Sequence, residues 1–139
     1  MNIKRGGSAL LLAEIMLAIM FFALSVTVSL RLFVSAREYI SRSDDISHAV
    51  IESQSIAESF KATGGNIKRT AEMLGVYTSE LRFVIYYNEN WEPVPFDSAY
   101  SAELIASSNL NGASMALITV YKGRETLLTI DVAATKLQA

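Results

Sequence analysis

Between Arg5 and Arg31 the chain carries a stretch almost without charge, and this stretch limits what the whole molecule can be. Of residues 6–30, 18 of 25 are apolar and Glu14 is the only ionisable side chain. A helix rising about 1.5 Å per residue would reach roughly 37 Å over that length, enough to cross a hydrocarbon core about 30 Å thick with some tilt. A secretory signal peptide has a shorter apolar run that ends at a small-residue cleavage site. Here the run passes through Ser25, Thr27 and Ser29 into Leu32-Phe33-Val34 with no turn signal. The stretch reads as an anchor. Lys4 and Arg5 favour a cytoplasmic N-terminus with the polar part outside, and Arg31 and Arg37 on the far side reduce that bias.

The remaining 114 residues hold 53 apolar ones, an ordinary globular proportion. Together these features exclude a polytopic membrane protein and a disordered chain. The chain has no cysteine, which removes disulfides, thiolate metal sites and a cysteine nucleophile, and its one histidine, His48, cannot build a multi-histidine metal site. After Arg31 there are nine basic and thirteen acidic residues, a net charge of about −4, so the polar part lacks the basic face that binds phosphate backbones. Nucleic acid is not an expected partner.

Glu14 needs explaining, because a carboxylate within a spanning helix costs a few kcal/mol. Either it lies near enough to the headgroups to stay hydrated, or it finds a positive partner in another subunit. The residues around it carry a resemblance. Lys4-Arg5-Gly6-Gly7, then Ser8-Ala9-Leu10-Leu11-Leu12-Ala13-Glu14-Ile15-Met16-Leu17 and a long apolar helix, resemble the N-terminus of type IV pilins and pseudopilins. The resemblance implies that a prepilin peptidase cuts after the leader glycine and that the new N-terminal residue is methylated. It also implies that the glutamate pairs with the amine of a neighbouring subunit. On that basis the preferred bond is Gly7–Ser8, with Ser8 methylated, and Glu14 is the assembly residue. This sequence departs from the family in register. A cut after Gly7 makes Glu14 the seventh mature residue, whereas the family's fifth position requires a cut between Ala9 and Leu10, the alternative. Ser8 also stands where the family has phenylalanine or methionine.

Downstream, no glycine occurs between Gly7 and Gly64 and no proline before Pro93, so one helix over residues 8–62 is allowed. Beyond the anchor, Ile40, Ile46, Val50, Ala57 and Phe60 fall on one face with Ser43 and Ser53 in the gaps. Arg42, Asp44, Asp45, Glu52 and Glu58 fall on others. Thr63-Gly64-Gly65 ends the helix, glycine supplying a left-handed cap.

Residues 65–81 resemble, locally, the helix-turn-helix of Fis-type DNA-binding domains. The would-be recognition helix after Thr78 offers only Arg82 before Phe83-Val84-Ile85-Tyr86-Tyr87, a run suited to a strand. A short connecting helix over residues 67–74 is the expectation. Strand signals follow over residues 81–87, 100–107, 113–121 and 125–132, with turns at Asn109-Leu110-Asn111-Gly112 and Lys122-Gly123-Arg124. Residues 90–97 form a loop holding both prolines and Trp91. Trp91 and Phe96 are expected to tuck over the edge of the core, an exposed contact being the alternative.

No nucleophile with a positioned base, acid pair or metal set is visible, and His48 beside Asp44, Asp45 and Glu52 reads as solvated, so an enzyme is not expected and no cofactor is implied. The expected fold is α+β: a long N-terminal helix packed on a four-stranded antiparallel sheet, as in pilins. It divides into a basic leader (1–7), a transmembrane half (8–34), an amphipathic half (35–63) and a short helix with the sheet (64–139). The expected function is that of a structural subunit of a type IV pilus or type II secretion-like pseudopilus, a minor pilin or pseudopilin. Its partners would be other pilin-like subunits, prepilin peptidase, platform proteins in the membrane and the lipid bilayer. A single-pass protein with a ligand- or partner-binding outer domain is the alternative, and a membrane-tethered helix-turn-helix DNA-binding protein a third.

Overall fold

The computed structural model describes residues 4–135 apart from Asp97 and Asn111. Met1, Asn2 and Ile3 of the leader, Asp97 of the proline loop, Asn111 of the expected hairpin turn and residues 136–139 lie outside the described residues. The chain is α+β, with elements α1 (Lys4–Ala62), α2 (Ile67–Leu74), β1 (Arg82–Tyr87), β2 (Pro93–Val94), β3 (Tyr100–Leu110), β4 (Ala113–Lys122) and β5 (Glu125–Thr135). It separates into two compact units, Met1–Arg42 and Ser43–Ala139.

In the first unit the Ala, Leu and Met of the apolar stretch favour a helix, and two of the hydroxyls that interrupt it bond back to the helix itself. Ser25 donates to the carbonyl of Phe21 at 2.9 Å and Thr27 to that of Ala23 at 2.8 Å. An apolar surrounding therefore meets these two hydroxyls already bonded. Every side chain from Gly7 to Asp44 is exposed. By length and composition this helix can cross a membrane.

In the second unit the sheet is antiparallel, in the order β2-β1-β3-β4-β5. Five strands, not four, compose it. The additional one, β2, sits inside the expected loop and pairs Val94 with Tyr86 and Pro93 with Tyr87. Two residues are too short to show a period-two pattern. Pro93, having no N–H to give a ladder, is tolerated only at an edge. β3 and β5 also run three residues past their expected ends, because each continues to pair with β4 as far as Leu110↔Ala113 and Ala113↔Thr135.

Alternate residues of the strands line the buried face: Phe83, Ile85 and Tyr87, then Ala102 and Leu104, then Ala116, Ile118 and Val120, then Val132 and Ala134. Against them lie Asp45, Ala49, Ser53, Ile56, Ala57 and Phe60 of α1. This matches the expected stripe only at its far end, where Ser53, Ala57 and Phe60 are buried as expected. Ile40 is 62% exposed and Ile46 37%, Val50 is half-buried, and Asp45, assigned to a polar face, is buried. At its start the buried face is rotated by roughly 70° about the helix axis, at about 100° per residue. The reason is that Asp45 has partners on β3 and β4, Tyr100 and Lys122.

α2 follows the expected bounds. Asn66 caps it, its side chain accepting from the Arg69 N–H at 3.2 Å, and Gly75 closes it in the left-handed conformation. The glycines and asparagine that resemble a helix-turn-helix thus act as caps. After Thr78 the chain enters a bridge to Phe83 and then β1. At the end of α1, Gly65 adopts φ +78°, and a Cβ there would overlap the Ser114 side chain, with Oγ only 2.7 Å away. Only glycine lets the turn lie this close to β4.

Candidate functional site

Gly7, Ser8, Ala9, Leu10 and Glu14 all lie on the first helical turns of α1 and are exposed. Seven residues are nearly two turns, so Gly7 and Glu14 share one face, about 10 Å apart along the axis. Leu10, Leu11, Leu17 and Phe21, one or two turns from Glu14, are 74%, 60%, 55% and 58% exposed. Glu14 is therefore a single carboxylate in an outward apolar stripe. Among the described residues no side chain ion-pairs or hydrogen-bonds with it. The helix brings the candidate cleavage bonds and the glutamate into one continuous element and adds no further chemistry to them.

The second unit holds a polar cluster that the sequence reading missed. Asp45 accepts a hydrogen bond from the Tyr100 hydroxyl at 2.6 Å through Oδ1, and from the Lys122 ammonium at 2.5 Å through Oδ2. Tyr100 begins β3 and Lys122 ends β4, and these two positions are paired across the ladder, so the sheet presents both donors side by side. Burial works against the charged form of Asp45. The hydrogen bonds from Lys122 and Tyr100 and the positive charge of Lys122 outweigh it and hold the carboxyl below its ordinary range. The hydrogen bond to Asp45 in turn raises the Lys122 pKa. Burial, then the bond to Asp45, raise that of Tyr100.

An aromatic stack covers this cluster. Trp91 lies 4.1 Å from Tyr100 between ring centroids and 5.4 Å from His48, nearly parallel to both. A tight turn aims it inward. The Asn88 side chain accepts from the N–H groups of Asn90 and Glu92 at 2.9 and 3.0 Å, and Trp91 itself is held at φ +60°. The expectation for this loop divides: Trp91 is buried, while Phe96 is 75% exposed. His48 is exposed, as expected, with one ring face on Trp91. At the end of β1, burial first and then the neighbouring Glu52 push the Tyr87 hydroxyl far above its ordinary pKa.

A carboxylate held by a cation and a phenol, with no adjacent nucleophile, can fasten elements together. Among the described residues no three His, Cys, Asp or Glu side chains converge as a metal site. A surface groove of about 540 Å³ lies between residues 74–79, β1 and residues 93–95. Its one charged side chain, Arg82, pairs with Glu103 at 3.2 Å.

One signal in the sequence could have exposed Asp45. It stands four residues before Ala49, eight before Ser53 and fifteen before Phe60, all on one helical stripe. No protein-family model matches the chain, and neither a curated protein nor a solved structure matches it.

Proposed function

We propose that the chain is a structural subunit of a type IV pilus or type II secretion-like pseudopilus. The first half of α1 anchors it in the lipid bilayer, with the N-terminus cytoplasmic and the second unit outside. One observation carries this reading. A single helix begins as a fully exposed apolar segment interrupted by one carboxylate, and continues as the spine beneath an antiparallel sheet. In that reading prepilin peptidase removes the leader at Gly7–Ser8, Ser8 is methylated, and platform proteins of the membrane feed the subunit into a fibre of pilin-like neighbours. Glu14 then receives the N-terminal amine of the next subunit, which compensates a charge the bilayer disfavours. The amine of Ser8 would lie about 9 Å along the axis from Glu14, and that of Leu10 about 6 Å. The axial stagger between neighbours therefore differs between the two cleavage bonds.

The test joins processing and assembly. Mass spectrometry of the N-terminal peptide from membranes should find a chain starting at methylated Ser8, and an intact Met1 would remove the peptidase step. Glu14→Ala should insert at normal or higher level, since removing the charge eases insertion, yet be depleted from sheared fibres or from cross-links to pilin-like subunits. Equal incorporation of variant and wild type would end the pairing mechanism, and absence of both from fibres and cross-links would favour a single-pass protein that does not polymerise.

A further inference from the structure

The part of α1 that lies in the second unit is held to the sheet by two different kinds of contact. Near its end the grip is apolar: Ile56 and Phe60 are 1% and 0% exposed, with Ala57 between them. Near its start the grip is polar. Over residues 43–50 the buried side chains are Asp45 and Ala49, whereas Ile46 and His48 are exposed. No large apolar side chain is buried in those two turns. Their helix propensity is also poor, since Ser43, Asp44, Asp45, Ser47 and His48 all rank low as helix formers. Ser47 donates back to the Ser43 carbonyl at 2.8 Å, a bond that competes with helical geometry.

Together these observations lead us to infer that Asp45, Tyr100 and Lys122 form a releasable clasp: opening it frees residues 43–50 of α1 from the sheet while Ile56, Ala57 and Phe60 keep hold. Local opening is governed by the contacts of the segment that opens, and here the polar ones pass through one carboxylate, beside only the small Ala49, half-buried Val50 and the His48–Trp91 stack. A group of this kind, buried and bonded by two donors, loses more when one partner is removed than an exposed ion pair would. The inference stands independently of the pilin-like reading, because every residue it uses belongs to the second unit.

Acid should open the clasp. The groups facing Asp45 are Tyr100 from β3, Lys122 from β4 and His48 from its own helix. Burial alone would raise the pKa of Asp45, but the bonds and positive charges around it place the folded value below the ordinary 3.8. A carboxylate with a depressed folded pKa contributes in full above its unfolded value, and that contribution is lost as pH falls through the folded one. The window lies below about pH 3.8.

The experiment is hydrogen exchange, read by peptide mass spectrometry on the full chain in detergent micelles. Wild type is compared with Asp45→Asn and with Lys122→Met, which keeps the apolar stem and removes the cation. At neutral pH, amides of residues 46–52 should exchange roughly tenfold or more faster in each variant, while residues 56–62, β3 and β4 keep wild-type rates. Acidifying the wild type through the window should produce the same local pattern, after correction for intrinsic rates, and should add nothing in Asp45→Asn. Unchanged rates over residues 46–52 would overturn the inference. So would acceleration spread evenly through residues 56–62 and the sheet, since the clasp would then be one element of a single cooperative core.

Discussion

The two stretches of α1 reverse the usual relation between composition and burial. The apolar half, from Gly7 through Leu30, buries no side chain within the chain, while the mixed half from Ser43 to Ala62 supplies one wall of the core with Ala49, Ile56, Ala57 and Phe60. Hydrophobicity alone therefore does not decide what a side chain packs against. A helix that is apolar all round has no preferred face to offer one sheet and suits lipid or neighbouring helices. A helix with one narrow stripe fits a sheet, and small residues such as Ala49 and Ser53 in the stripe allow close approach. What an apolar segment of this kind requires is an apolar surrounding.

Substitutions can break this comparison in order of severity. Phe60→Ala removes a fully buried ring from the mixed half and should cost about 3–5 kcal/mol. In thermal denaturation of the second unit within the full chain this appears as a drop of many degrees, with membrane insertion unchanged. A loss under about 1 kcal/mol would mean that the core tolerates the cavity and that the grip at this end is weaker than its burial indicates. Next comes Gly65→Ala, which forces a side chain into the left-handed region and onto Ser114, for a cost of roughly 2 kcal/mol or more. Adding Ser114→Gly should restore part of it by relieving the overlap, and full restoration would show that the φ angle itself is not strained. Smallest is Leu17→Ala in the apolar half, which should move the unfolding midpoint of the second unit by no more than about 0.5 kcal/mol equivalent. A larger shift would mean that the exposed half supports the core after all.

Some of this was legible before any coordinates. The end of α1 at Gly64 and Gly65, the bounds of α2 and the central strands follow from local chemistry: left-handed caps, an asparagine N-cap, and β-branched and aromatic runs. β2 was not legible, because two residues containing a proline read as loop until a neighbouring edge is there to pair with them. The start of the helix face, unlike its end at Ala57 and Phe60, was illegible for a similar reason. Ile46 and Val50 look like core residues to any local periodicity, and Asp45 looks like solvent, until Tyr100 and Lys122 arrive from 55 and 77 residues away.

The sequence by itself determined an anchor-length apolar helix with Glu14 inside it, a glycine-ended spine and an antiparallel β region. Each of these depends on residues within a few turns or a few strand positions of one another. Only the tertiary structure decided which face of the spine is buried, that Trp91 turns inward while Phe96 stays out, and that a carboxylate fastens helix to sheet. Those outcomes depend on groups brought together from distant parts of the chain. A buried charge is favourable only where its partners already wait.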